Sequence, residues 1–178
     1  VMGLTFHPKP SPHPQLYPNG WDEKGKWVQI GGVFLTVDWE VVPNRLALHA
    51  AQGLMLDCSN QFAGFSHLGV KGLYRQGRHT LGASMGPSWF YRKTWRDISG
   101  YVDEGLFAYN EKWQHSFYWY AGSIEYDYRI SPTHSLSANL IPGWPEIFVF
   151  SGGVKHHFSP VPNSRLTPPN GILNTRKR

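Results

Sequence analysis

Cysteine is nearly absent. Cys58 stands alone, so no internal disulfide and no multi-cysteine zinc site can form. Charge is scarce too: charged residues make up 16% of the chain, against about a quarter in ordinary globular domains. No run approaches the ~20 apolar residues of a spanning helix. With a mean hydropathy of −0.40, a bundle of transmembrane helices is excluded. No HExxH or HxxEH pattern appears, which removes the zinc-protease signatures. The chain opens VMGLTFHPKP without the basic-then-apolar pattern of a secretory signal, so such a signal is either already removed or was never present.

Aromatics and glycine are abundant. Eight Trp, nine Tyr and ten Phe accompany 19 Gly and 14 Pro in 178 residues. That length suits one domain, and that composition suits an all-β protein whose apolar residues alternate with polar ones. Residues 146–158, EIFVFSGGVKHHF, carry the clearest alternation. Phe148, Phe150, Val154 and Phe158 share one face of a strand; Ser151, Lys155 and His157 share the other.

The same period recurs along the chain. Strands are expected over 27–41, 45–57, 61–75, 78–92, 98–109, 113–130, 134–141 and 146–158. Val33, Leu35, Val37, Trp39 and Val41 form one apolar face; Tyr118, Tyr120, Ile124, Tyr126 and Tyr128 form another. His67, Lys71 and Arg75 share a parity that Phe65 interrupts. Pro87 lacks a backbone donor, so a bulge or strand end is expected there. Asn19-Gly20, Pro43-Asn44, Gln76-Gly77 and Ser131-Pro132 mark turns. The connections all look short, which implies antiparallel neighbours.

Eight strands of this kind predict an all-β, eight-stranded antiparallel up-and-down β-barrel. Several strands reach 13 residues or more, long enough to cross a hydrocarbon layer when tilted, so the barrel is expected to be transmembrane. The domains then run as a proline-rich extended lead-in over 1–26, the barrel over 27–158 and an irregular basic tail over 159–178. The alternative is a soluble lipocalin-like barrel whose apolar parity faces inward around an apolar ligand.

In a membrane barrel the wetter parity lines the lumen. It offers His49 and His67 as bases, Ser84 and Ser88 as nucleophiles, and Asp38 and Asp57 as orienting acids, the three parts that acyl transfer or ester hydrolysis needs. Glu125, Asp127, Arg129 and Lys155 read as a lumen charge network. Neighbouring His156 and His157 point to opposite faces and cannot chelate one metal, so no metal and no cofactor is expected.

The last strand resembles the closing strand of bacterial outer-membrane barrels, ending on Phe158. The Trp21–Trp27 segment, WDEKGKW, and Leu140-Ile141-Pro142-Gly143 are similar to segments of the lipid A palmitoyltransferase family. That resemblance implies an eight-stranded outer-membrane barrel that moves a palmitoyl chain from phospholipid to lipid A with a His, an Asp and a Ser. The chain departs from the family at Asp38, which Trp39 follows where the family has Ser. Residues 1–20 also look too short and proline-rich to supply the earlier strand that carries the family's His.

These readings imply the outer membrane of a Gram-negative bacterium, with membrane lipid or lipopolysaccharide as partner and enzymatic remodelling of envelope lipids as the function. A non-enzymatic structural, adhesive or assembly barrel is the alternative. The formal charge of +5, partly from Arg176, Lys177 and Arg178, suits an anionic lipid surface, and the tail could engage a protein partner. Nucleic acid is not expected, because the tyrosine-rich face of residues 118–130 carries no Lys or Arg.

Overall fold

Period-two alternation decides which side of a sheet each residue takes, and here it builds a closed ring. The strands are β1 (Met2–Phe6), β2 (Trp27–Val42), β3 (Leu46–Leu56), β4 (Phe62–Gln76), β5 (His79–Lys93), β6 (Ala108–Asn110), β7 (Trp113–Arg129), β8 (His134–Gly143) and β9 (Ile147–His156). The computed structural model describes residues 2–7, 16–103, 105, 107–143 and 147–158. The wall runs β5-β4-β3-β2-β1-β9-β8-β7, and β7 pairs back to β5. The molecule is thus an all-β, eight-stranded antiparallel barrel, with the three-residue β6 as a spur on the edge of β7.

The count of eight is as expected, but one member differs. Met2–Phe6 falls in the expected lead-in, yet it pairs with both β2 and β9 and so closes the wall. Its alternation is short but sound, with Thr5 buried and Met2 outward. The expected strand at 98–109 is instead mostly loop. Turn bonds from Ile98 N to the Trp95 carbonyl and from Tyr101 N to the Ile98 carbonyl curl it, and Gly100 and Gly105 sit at positive φ. The tail at 159–178 and residues 8–15 of the proline-rich lead-in lie outside the described residues.

Connections are not uniformly short. One end of the barrel carries the turns 43–45, 77–78 and 130–133; the other carries 57–61, 144–146 and two long connections, 7–26 and 94–112. Reading 98–109 as a strand had hidden the second long loop.

The apolar parity faces outward. Val33 is 71% exposed, Leu68 64% and Val154 64%, while Lys71 is 2% exposed and Glu125 8%. On β9, Phe150 and Val154 point out and Ser151 is buried. On β7 the alternation changes phase: Gln114 and Glu125 are both buried, although their numbers differ in parity. The cause is a register shift against β5, where Gly86 opposes Ala121 but Ser88 opposes Tyr118. The shift brackets Pro87, as its missing donor led us to expect.

A second irregularity opens the wall. β8 pairs with β7 only over Ile124–Arg129, and β6 covers only Trp113–His115. Among the described residues, the β7 edge at 116–123 therefore has no strand beside it on that side. Pro142, near the top of β8, brings no N–H to a ladder. The four aromatics Phe117, Tyr118, Trp119 and Tyr120 along this notch are all about half-exposed or more. Beside it lies a hollow of about 470 Å³ lined by Trp89, Ala108, His115, Ser116 and Phe117.

Glycine is required where β4 and β5 pinch together. A Cβ on Gly86 would run into the Leu68 carbonyl and the Gly69 Cα, both backbone, whereas a Cβ on Gly31 meets nothing within 4 Å. Gly86→Ala is expected to destabilise the barrel by roughly 1–3 kcal/mol through overpacking, with Gly31→Ala near neutral. Urea unfolding of the two variants measures this, and equal effects would contradict it.

Candidate functional site

Cross-strand register stacks the lumen side chains of β2, β3, β4, β5 and β7 into layers. Nearest the long loops is Gly32-Met55-Ala63-Arg92-Gln114. Below it comes Phe34-Gly53-Phe65-Phe90-Ser116, then Thr36-Ala51-His67-Ser88-Tyr118, and then a layer holding Asp38, His49 and Gly69. Phe65, the residue that breaks the His67–Lys71–Arg75 parity in polarity, thus belongs to an aromatic layer, its ring 5.4 Å from that of Phe34.

Directly under that layer His67 Nδ1 lies 2.6 Å from Ser88 Oγ. Both residues are buried, and they are cross-strand partners on β4 and β5. His67 Nε2 is buried without a hydrogen-bond partner. Gly69 keeps the space beside it open, since a Cβ there would come within 2.7 Å of that nitrogen. One layer down, the His49 ring stands 5.6 Å from the His67 ring, and its Nδ1 lies 2.5 Å from Asp38 Oδ1.

Towards the short-turn end the lumen is filled by ion pairs. Lys71 Nζ donates to Asp38 Oδ2 at 3.0 Å and to Glu125 Oε1 at 2.8 Å. Lys155 Nζ reaches the same Glu125 oxygen at 2.6 Å and Asp127 Oδ2 at 2.9 Å. Burying these charges is tolerable only because each ammonium bridges two carboxylates. Three members of the expected charge network, Glu125, Asp127 and Lys155, meet here. Arg129 does not join them: its Nη2 donates to the Gly77 carbonyl at 2.7 Å, in a turn. Lys71 was not expected in the network, although its parity with His67 and Arg75 was the available signal.

The candidate catalytic residues therefore fall into separate groups. His67 meets Ser88, and His49 meets Asp38. Ser84 Oγ pairs with Ser123 Oγ at 2.8 Å instead of with a histidine. The run Gly82–Gly86, GASMG, has the Gly-x-Ser-x-Gly spacing, but it lies inside a continuous strand rather than at a strand-to-helix turn, so it does not form a nucleophile elbow.

Asp57 is no orienting acid for either histidine. It sits in the 57–61 turn, where its Oδ1 accepts the Ser59 and Gln61 amides at 2.9 Å each and its Oδ2 accepts Trp95 Nε1 at 2.7 Å. Burial pushes its carboxyl above the usual carboxylate range against the pull of those donors. With Gln114, whose Oε1 accepts Arg92 Nε at 3.0 Å and Trp95 N at 3.1 Å, it fastens the start of the 94–112 loop at the long-loop end. The Arg92 guanidinium stacks on Trp95 at 3.7 Å and on Phe107 at 4.0 Å. Burial also pushes the neighbouring Cys58 thiol up, which leaves it unreactive.

Among the described residues no cluster of three or more His, Cys, Asp or Glu is placed to hold a metal. No protein-family model and no curated protein matches the chain.

Lys71→Met would leave the Asp38 and Glu125 carboxylates without their shared cation. It is expected to cost about 3–5 kcal/mol, read from denaturant unfolding. A loss under about 1 kcal/mol would mean that the ladder is not a structural support.

Proposed function

We propose that the chain is an outer-membrane barrel of a Gram-negative envelope that cleaves or transfers an acyl ester of membrane lipid. The 2.6 Å contact between Ser88 Oγ and His67 Nδ1, at the foot of an aromatic layer, is the observation that carries this reading. The membrane part draws on the outward apolar faces, the polar lumen, and the contrast between one short-turn end and one long-loop end, all features of such barrels.

In the chemistry proposed, His67 Nδ1 takes the Ser88 hydroxyl proton as Oγ bonds to the ester carbonyl carbon. The tetrahedral adduct collapses, and the departing alkoxide takes that proton from His67. A water or an acceptor hydroxyl then attacks the acyl-Ser88 ester, with its proton passing to His67 and returning to Ser88. The Phe34, Phe65 and Phe90 layer offers an apolar seat for the chain next to the ester. Ser88 stands opposite Tyr118, at the height where the β7 edge is open, so lipid can reach this level from the side. The resemblance to the lipid A palmitoyltransferase family points towards the same substrate class.

A non-enzymatic barrel is the second reading. It is favoured by the lack, among the described residues, of a carboxylate on His67, since Asp38 is committed to His49 and Lys71. A soluble barrel around an apolar ligand has the exposure pattern against it, because its apolar parity would have to turn inward.

Purified protein in detergent, given phospholipid and lipopolysaccharide, is expected to release or transfer fatty acid. Ser88→Ala and His67→Ala are each expected to lower the rate by roughly 10²–10⁴-fold, while Ser84→Ala retains it. Absence of turnover by the unaltered protein, or full turnover by Ser88→Ala, would favour the non-enzymatic barrel.

A further inference from the structure

The two ends of the barrel differ in charge as well as in loop length. At the short-turn end Arg45, Arg75, Arg78 and Arg129 stand side by side on neighbouring turns and strand ends. The Leu73 amide donates to the Arg45 carbonyl at 2.8 Å, and the Arg129 amide to the Arg78 carbonyl at 2.8 Å, so the row is continuous from β3 to β7. Glu40 is the acid beside them, and Arg75 Nη1 already holds it at 2.6 Å. Arg45 and Arg78 are exposed, and neither takes an ion-pair partner among the described residues. The long-loop end, by contrast, mixes both signs, with Asp22 and Glu23 beside Lys24 and Lys26 and Arg96 paired to Asp103.

Just inside this row the outward face turns aromatic. Tyr74 is 63% exposed and Tyr126 42%, joined across Leu81 by the strand register. Tyrosines in such a band sit at the boundary between hydrocarbon and headgroups. The free guanidinium groups of Arg45 and Arg78, one step beyond the band, then stand at phosphate height. Guanidinium is the group best shaped to take phosphate oxygens in pairs.

We infer that this arginine row is a binding site for the phosphate of anionic phospholipid, lying on the leaflet that meets the short-turn end. The inference rests on the membrane reading above and is independent of any enzymatic activity. Attraction of this kind is worth roughly fivefold in binding per arginine and about thirtyfold for a pair. It should weaken as salt screens it.

The test uses the full chain in nanodiscs of phosphatidylcholine with a minor share of phosphatidylglycerol, released into the gas phase for native mass spectrometry. The unaltered protein is expected to retain phosphatidylglycerol above its share. Arg45→Gln/Arg78→Gln should lose that enrichment by about thirtyfold, as should a wash in high salt. Equal retention of both lipids by the unaltered protein, or unchanged enrichment in the double variant, would overturn the inference. Both substitutions lie in exposed turns, and heat-modifiable gel migration checks that the variant folds. Failure to enter nanodiscs at all would count against the membrane reading instead.

Discussion

Lys71 is the constraint around which the barrel is arranged. Its ammonium, 2% exposed as a residue, joins Asp38 on β2 to Glu125 on β7 across the lumen. A cation cannot be left unpaired in such a place, and neither can its two carboxylates. Lys155 carries the pairing on to Asp127. Once these groups occupy the interior, strand alternation leaves the apolar residues nowhere to go but outward. The greasy exterior and the ionic lumen are two consequences of one pattern.

The lumen is also graded along its axis. Ion pairs fill the part near the short turns, an aromatic layer lies towards the long loops, and His67 and Ser88 mark the boundary. Above the aromatics, Asp57, Gln114 and Arg92 hold Trp95 at the start of the 94–112 loop. Among the described residues, the β7 edge at 117–123 has no strand beside it at the level of that boundary. The bulge beside Pro87 shapes the same region, since it changes the phase of β7 between Gln114 and Glu125. The His67–Ser88 pair and an irregular wall therefore coincide in the fold.

Much of this was legible in the sequence because it depends on local period. The faces of residues 147–158, the apolar row from Val33 to Val41, the disturbance at Pro87 and the grouping of Glu125, Asp127 and Lys155 all follow from alternation. What depended on closure was not legible. Met2–Phe6 is five residues beside a run of prolines, and nothing local announces that it bridges β2 and β9. Residues 98–109 hold Ile98, Tyr101, Val102 and Phe107, a spacing that imitates a strand although Tyr101 packs on Trp95 and Phe107 on Phe90. The partners of Lys71 come from strands 33 and 54 residues away, and barrel stagger rather than spacing brings them together. Asp38 falls to His49, its direct partner in the β2–β3 hairpin, and not to His67, which leaves the expected Ser–His–Asp set as two separate pairs.

The claim underneath the rest is that the outward apolar faces meet lipid. Leu68 tests it most directly, being a mid-strand outward residue that is 64% exposed and next in sequence to His67. In phospholipid vesicles, Leu68→Arg should cost about 2–4 kcal/mol of folding free energy near the bilayer midplane, read from reversible denaturant unfolding. A change within about 0.5 kcal/mol, as for an ordinary surface position in water, would contradict the account.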